Sequence, residues 1–174
     1  MEDLKQYIRS VPDFPKAGIN FYDITTLLQN PVGFKLTLDA MELFIRSKKA
    51  NKIVGIESRG FVFGAALADR LQISFIPARK PGKLPSTTIS EEYELEYGND
   101  KIEMHDDAIV AGDKVVIVDD LLATGGTMEA VCKIVERLHG AVVGISTVID
   151  LSFLPWREKL AQYDVSYLIS YDSE

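Results

Sequence analysis

Four short runs of apolar and β-branched residues recur along the chain, separated by stretches in which apolar positions are spaced differently. The runs cover 52–57, 73–78, 115–119 and 142–149. Because each run is apolar at successive positions, it is typical of a strand buried on both faces. The pattern predicts four strands of a mainly parallel sheet.

Between the strands, apolar residues recur at helical spacing. One stripe covers 34–45, and Asn30 followed by Pro31 is typical of an N-cap and a first helical residue. Two further helices are predicted, over 59–71 and 127–138. Gly140 is expected to close the last of these helices. This alternation favours an α/β fold in which helices flank a central, mainly parallel sheet.

The stretch 79–107 breaks the alternation. Prolines and a glycine interrupt its first residues, and Tyr93, Leu95 and Tyr97 occupy alternate positions, as in an antiparallel hairpin. About thirty residues are too many for an idle connection between core strands. We interpret the stretch either as a surface excursion or oligomer contact, or as a lid over a site at the carboxyl edge of the sheet.

Composition is that of a folded globular protein. The 174 residues are 47% hydrophobic and 26% charged, which disfavours disorder and predicts a single domain over 1–174. With 19 Lys and Arg against 26 Asp and Glu, the formal charge of −7 repels nucleic acid and anionic membranes at long range. Neither is an expected partner.

Other features point to a reducing compartment. The single cysteine, Cys132, has no partner for an internal disulfide, and the charged first residues do not resemble a secretory signal. No apolar run approaches the ~18 residues that span a bilayer, so a cytoplasmic location is expected. Cys132 falls on the apolar stripe of the third helix, which predicts a buried structural thiol. His105 and His139 lack the companion ligands of a metal site.

The segment 119–127 combines two opposite chemistries after the third strand. Its glycines precede a helix, where unpaired N–H groups bind anions and the Thr124 and Thr127 hydroxyls add donors, as in a monophosphate site. Asp119 and Asp120 repel phosphate but suit sugar hydroxyls or a cation. A phosphate at one end and vicinal hydroxyls at the other indicate a ribose 5-phosphate.

The run VVIVDDLLATGGT in this segment resembles the phosphoribosyl-pyrophosphate motif of type I phosphoribosyltransferases, and its DDLLATGGT form is similar to members that act on adenine. Further similar segments cover 12–25, 57–68, 79–85 and 93–104. The resemblance implies the type I phosphoribosyltransferase fold, with a base-binding segment at 1–30 and a flexible lid hairpin at 79–107. It also implies transfer of 5-phosphoribosyl from phosphoribosyl pyrophosphate to N9 of adenine, giving AMP and pyrophosphate, with Mg²⁺ as cofactor and a homodimer as the assembly.

The resemblance also implies how the donor is held. The 5-phosphate cradle comprises Ala123, Thr124, Gly125, Gly126 and Thr127. Asp119 and Asp120 hold the 2- and 3-hydroxyls. The residues that face the pyrophosphate are Glu57, Ser58, Arg59, Gly60, Arg79 and Lys83, the last two partly across a dimer interface. Family members often have a cis peptide at the position of Glu57 and Ser58, where Glu57 replaces a common aspartate. Lys80 is interpreted as a solvated loop charge, and magnesium is held mainly by pyrophosphate and water.

The chemical roles follow in the same way. Glu96 is the implied general acid/base near N7 of the purine, with Tyr97 beside the reacting ribose and Arg59 neutralising the leaving pyrophosphate. Phe21 matches the aromatic residue that stacks on the base. Tyr22 departs from the family pattern, because many relatives have arginine or lysine there.

Two other functions fit the same residues. The first is transfer to another base, such as a 6-oxopurine, which composition does not distinguish. The second is a regulator that senses phosphoribosyl pyrophosphate without catalysis. Regulators that act on nucleic acid need a basic face or an added domain, and this acidic chain indicates neither.

Overall fold

The computed structural model describes residues 4–94 and 99–173. After a 3-10 turn at Leu4–Tyr7, the elements are β1 (Arg9–Val11), β2 (Phe21–Asp23), α1 (Thr25–Gln29), α2 (Pro31–Ser47), β3 (Lys52–Ile56), α3 (Gly60–Leu71), β4 (Ser74–Ala78), β5 (Thr88–Glu94), β6 (Asn99–His105), β7 (Lys114–Leu122), α4 (Gly126–Arg137), β8 (Ala141–Leu151), α5 (Trp156–Lys159) and β9 (Val165–Tyr171).

A parallel sheet of five strands in the order β4-β3-β7-β8-β9 forms the centre. The four strands predicted from apolar runs are confirmed, and the α/β class with them. The fifth strand, β9, was not predicted, because it buries only one of its seven residues and lacks a continuous apolar run. Strand β7 continues to Leu122, so Asp119 and Asp120 lie on the strand and only the residues after Leu122 form the loop.

Helices cover both faces of the sheet because its central strands are apolar on both sides. Val54 and Ile117 pack with α4 residues in one core cluster. Ile53 and Val116 pack with α2 and α3 residues in the other. Cys132 is fully buried in the α4 cluster, and burial raises the pKa of its thiol to about 12. The prediction of a structural thiol is confirmed.

The sequence predicts the start of α2 correctly and the end of α4 only in part. The Asn30 side chain accepts hydrogen bonds from the N–H groups of Val32 and Gly33, both at 3.0 Å, and α2 begins at Pro31 as predicted. Gly140 takes part in ending α4 as expected, since its N–H donates to the Val135 carbonyl at 3.0 Å, but it does not take the left-handed position. His139 takes the left-handed conformation, with φ of 64°. Gly140 instead allows close packing, since a Cβ there would lie 2.6 Å from Ile109 Cγ2.

The stretch 79–107 contains the predicted antiparallel hairpin, in which β5 pairs with β6 from Thr88 opposite His105 to Glu94 opposite Asn99. Arg79 and Glu103 exchange two backbone hydrogen bonds at its base, of 2.8 and 2.7 Å. Ile102 and Met104 of β6 are fully buried in the core cluster that also contains residues of α4. The hairpin is therefore anchored to the domain, while Leu95 and Tyr97 lie outside the described residues.

Candidate active site

Three segments of the candidate site meet at the carboxyl edge of the sheet. They are 57–60 after β3, 79–83 after β4 and 123–127 after β7, and these three strands are neighbours. In open parallel sheets, ligands bind beyond the carboxyl ends of the strands. The topology thus brings together residues that are far apart in sequence.

The loop after β7 surrounds a pocket of about 100 Å³, lined by Asp119 and residues 121–128. Gly125 precedes α4 with φ of 79°, a left-handed conformation that favours glycine. The first turn of α4 directs N–H groups toward the loop, and no side chain caps it. The predicted cradle residues 123–127 all line this pocket, whose donors suit a phosphate.

The acidic pair divides into two environments. Asp119 lines the pocket, whereas Asp120 is 3% exposed and its Oδ2 lies 3.0 Å from Nε of Arg59. Burial raises the pKa of both carboxyls. The charge of Asp120 raises the pKa of Asp119 further, while Arg59 opposes the shift in the pKa of Asp120. Asp119 is therefore the member placed to meet a ligand directly.

Gly60 is required where α3 approaches this pair. A Cβ at Gly60 would lie 2.7 Å from the Val118 carbonyl oxygen and 2.9 Å from Asp119 Oδ1. Any side chain there would push α3 away from β7. The glycine in the predicted set thus keeps the loop after β3 in contact with the acidic pair.

Glu57 and Arg79 form an ion pair between the loops after β3 and β4. Nη2 of Arg79 lies 3.0 Å from Glu57 Oε1, and the Lys80 N–H donates to Glu57 Oε2 at 2.9 Å. The Arg79 guanidinium lowers the pKa of Glu57. The peptide between Glu57 and Ser58 is cis, as the resemblance implies. Glu57 therefore contacts Arg79, and its carboxylate orients that guanidinium at the edge of the site.

Lys80 and Lys83 differ from each other. Lys83 is exposed, and its carbonyl accepts a hydrogen bond of 3.1 Å from Arg79 Nη1. Lys80 is partly solvated, as expected, with its side chain 44% exposed, but its ammonium also pairs with Asp100 and lies 3.2 Å from the Tyr93 hydroxyl. Sequence reasoning missed this pair because Asp100 lies across the hairpin, twenty residues further along the chain.

The N-terminal segment reaches the site through Phe21. Its ring is partly exposed, packs edge-on to Phe14 at 5.3 Å between centroids, and lies 5.6 Å from Cζ of Arg59. Tyr22, where many relatives are basic, is 7% exposed and stacks on Tyr171 at 3.7 Å. Tyr22 therefore contributes to the core and anchors the strand that carries Phe21.

Two of the predicted residues, Glu96 and Tyr97, lie outside the described residues, and their roles stay predictions. The sequence did not single out Trp156, which lies against Gly125, or Asp150, which accepts a hydrogen bond from its indole. The one available signal was that Trp156 is the single tryptophan of the chain.

Within 4–94 and 99–173, no group of three or more His, Cys, Asp or Glu side chains is placed to hold a metal. Asp119 nevertheless supplies the oxygen chemistry that suits Mg²⁺ and sugar hydroxyls at the edge of the pocket. The residues thus fit a magnesium ion that is carried mainly by its ligand. In the same described ranges, no helix combines the length and apolar character needed to cross a membrane.

A parallel sheet with a glycine turn before a helix and an acidic pair at its carboxyl edge is typical of α/β proteins that bind phosphorylated ligands. The family model described as "Phosphoribosyl transferase domain" matches residues 23–166. The chain belongs to this phosphoribosyltransferase family and, within it, to the adenine phosphoribosyltransferases.

The relatives are similar over nearly their whole length. The adenine phosphoribosyltransferase of Brachyspira hyodysenteriae is 56% identical over 169 residues, covering 97% of this chain and 99% of the relative. The crystal structure of adenine phosphoribosyltransferase from Thermoanaerobacter pseudethanolicus has a TM-score of 0.94 at 50% identity, with 98% and 99% covered. The Saccharomyces cerevisiae structure, complexed with an imino-altritol bisphosphate and adenine, has a TM-score of 0.91 at 41% identity, with 96% and 97% covered.

Proposed function

We propose that this chain transfers a 5-phosphoribosyl group from phosphoribosyl pyrophosphate to N9 of adenine, giving AMP and pyrophosphate in purine salvage. The chain is a member of a family of pentosyl-transferring enzymes. The observation that carries the proposal is the pocket between the N-terminus of α4 and Asp119, which joins anion-binding N–H groups to a carboxylate.

The donor lies along the carboxyl edge of the sheet. Residues 123–127 bind the 5-phosphate, and Asp119 accepts hydrogen bonds from the ribose hydroxyls. Asp120 takes part through Arg59, to which it is paired. A ribose 5-phosphate in this position directs C1 toward the loops after β3 and β4.

The pyrophosphate is bound by groups from those two loops. They are the backbone of 57–60, the guanidinium groups of Arg59 and Arg79, and Lys83. A guanidinium has five N–H donors, and each arginine uses only some of them on its carboxylate. Among the described residues, the remaining donors have no protein acceptor and can bind phosphate oxygens, so the ion pairs orient the arginines and still leave N–H groups for the ligand.

The transfer step develops positive charge on the ribose while pyrophosphate departs, as in glycoside chemistry. Charge on the leaving group would be neutralised in part by Mg²⁺ when it is bound with the donor. Arg59 and Arg79 add fixed positive charge at the same end. By resemblance, Glu96 relays the proton at N7 of the purine, and Tyr97 lies beside the ribose.

Adenine lies against the aromatic face of Phe21. Because Arg59 is 5.6 Å from that ring and 3.0 Å from Asp120, one side chain joins the base end of the site to the ribose end. The active assembly is a homodimer in the cytoplasm, where Arg79 and Lys83 lie near the partner. The resemblance supports the dimer, and a lone reduced thiol fits the compartment.

The test is incubation with phosphoribosyl pyrophosphate, Mg²⁺ and one of adenine, hypoxanthine or guanine, with the product identified by mass. We expect AMP from adenine, and a loss of product when Mg²⁺ is chelated. If nucleotide formed only from hypoxanthine or guanine, the acceptor would be a 6-oxopurine and not adenine. If none of the bases gave a nucleotide, the chain would bind the donor without catalysing transfer.

A further inference from the structure

Asp150 is a fully buried carboxylate that the proposed reaction does not use. It lies near the end of β8, paired with Leu122 on one side and Ser170 on the other. A buried carboxylate is costly unless donors compensate it. Here Nε1 of Trp156 donates at 2.6 Å, the Ser170 hydroxyl donates at 3.0 Å, and Arg157 Nη2 lies at 3.3 Å.

Trp156 is held in place by this carboxylate and by its neighbours. It is 5% exposed, Arg157 lies over its ring at 4.4 Å, and the ring of Tyr167 meets it edge-on at 6.4 Å. Because Asp150 is fixed by the strand pairing on both sides, its bond to the indole determines where the first residue of α5 lies.

The other side of Trp156 meets the phosphate loop. A Cβ at Gly125 would lie 3.0 Å from Trp156 Cβ and 3.3 Å from Trp156 Cα, so the two residues are already in close contact. Gly125 is also the residue that turns the chain into α4. A shift of Trp156 would therefore be transmitted to the N–H groups of the loop.

We propose that Asp150 is a positioning residue for the donor phosphate, acting through Trp156 on Gly125. The inference rests on the proposed role of residues 123–127 and adds the support behind them. Asp150 touches no substrate. It holds the indole, this bond fixes the Cβ and backbone of Trp156 that lie against Gly125, and the loop then holds its N–H groups in the geometry that fits a phosphate.

The kinetic test separates binding of the donor from binding of the base. Asp150→Ala removes the acceptor, and we expect the KM for phosphoribosyl pyrophosphate to rise about tenfold with the KM for adenine little changed, as loss of positioning predicts. Asp150→Asn keeps an acceptor for the indole and restores most of the donor affinity. Trp156→Phe keeps an aromatic side chain but lacks the N–H donor, so it raises the same KM and carries the test if Asp150→Ala does not fold.

Asp113→Ala is the matched control. Asp113 is also a buried carboxylate with an ion pair, 2.8 Å from Lys52 Nζ, but it lies directly before the start of β7, at the opposite edge of the sheet. We expect it to lower the melting temperature without changing the KM for the donor. The proposal would be overturned if the donor KM rose equally in both alanine variants, or if it did not rise in a folded Asp150→Ala variant.

A second measurement does not depend on turnover. Trp156 is the only tryptophan, and its Cβ and backbone lie against Gly125, so a shift of this residue changes the surroundings of its indole and its fluorescence. We expect titration with ribose 5-phosphate to change the emission of the wild-type protein and of Asp113→Ala, and titration with adenine to leave it unchanged. An emission that does not respond to ribose 5-phosphate would contradict the coupling. Because this readout needs no transfer, its failure is distinguishable from failure of the proposed enzymatic function.

Discussion

At the scale of single residues, Gly125 meets two separate requirements. Its φ of 79° is strained for other residues, and a Cβ would lie 3.0 Å from Trp156 Cβ, so Trp156 would have to shift by a few tenths of an ångström. We expect Gly125→Ala to lower the free energy of unfolding by about 1–2 kcal/mol from the backbone alone, and to raise the KM for the donor as well. Urea denaturation and steady-state kinetics measure the two effects.

Gly112→Ala is the control for Gly125→Ala. Gly112 has φ of 94°, but a Cβ at this position would meet no other atom within 4 Å, so it shares the strain without the contact. We expect a loss of stability with unchanged donor KM. If both variants weakened donor binding equally, the close contact with Trp156 would have no part in the effect.

Asp23 makes the N-terminal segment sensitive to acid. Its carboxylate accepts hydrogen bonds from the Arg9 side chain and from Thr25, and these lower its pKa to about 2. Because the folded state lowers this pKa, the contribution to stability is present above about pH 4 and is lost as the pH falls toward 2. We expect Asp23→Asn to lose part of the acid dependence in thermal melts. The control is Asp69→Asn. Asp69 is exposed on α3, and we expect this variant to retain the full acid dependence of the melting temperature.

Glu96 is the residue whose chemistry rests on resemblance alone. A proton relay contributes about 10²–10⁴-fold, so we expect Glu96→Leu to lower kcat within that range, with the donor KM little changed. Glu92→Leu is the control, since Glu92 is an exposed hairpin carboxylate 2.8 Å from Lys101 Nζ. Full turnover in Glu96→Leu, where chemistry limits the rate, would remove the acid/base role.

At the scale of elements, α2 depends on a single cap. The Asn30 side chain accepts two backbone hydrogen bonds at the start of this helix, one residue after α1 ends. We expect Asn30→Ala to lower the free energy of unfolding by about 1 kcal/mol, measured by urea denaturation. Asn30→Ser restores an oxygen acceptor and most of the stability. Equal losses in the two variants would mean that the cap contributes little.

At the scale of the whole molecule, the site exists only because three loops meet at one edge of the sheet. Donor bound across them stabilises the folded protein by about 2.7 kcal/mol at a hundred times its Kd. We expect hydrogen exchange to slow together in 57–60, 79–83 and 123–127 when phosphoribosyl pyrophosphate and Mg²⁺ are added. Adenine alone is the control and leaves 123–127 unchanged. Protection of one loop without the others would contradict a ligand that spans all three.

The sequence alone determined the features that are local in the chain. Continuous apolar runs predicted four of the five strands of the central sheet, Asn30 and Pro31 predicted the start of α2, and the glycines of 119–127 predicted a turn that leads into a helix. These succeed because a strand buried on two faces, a helix cap and a glycine turn each depend on neighbouring residues. Strand β9 was not predicted, because it is only partly buried and therefore has no continuous apolar run.

Only the tertiary structure decided which distant side chains meet. It paired Arg59 with Asp120, stacked Tyr22 on Tyr171, and placed Trp156 against Gly125. Parallel strands need long crossovers, so residues that share the carboxyl edge are separated by tens of positions and no local pattern records their contact. Short motifs therefore indicate which residue types the site contains, and the order of the strands decides how those residues are arranged.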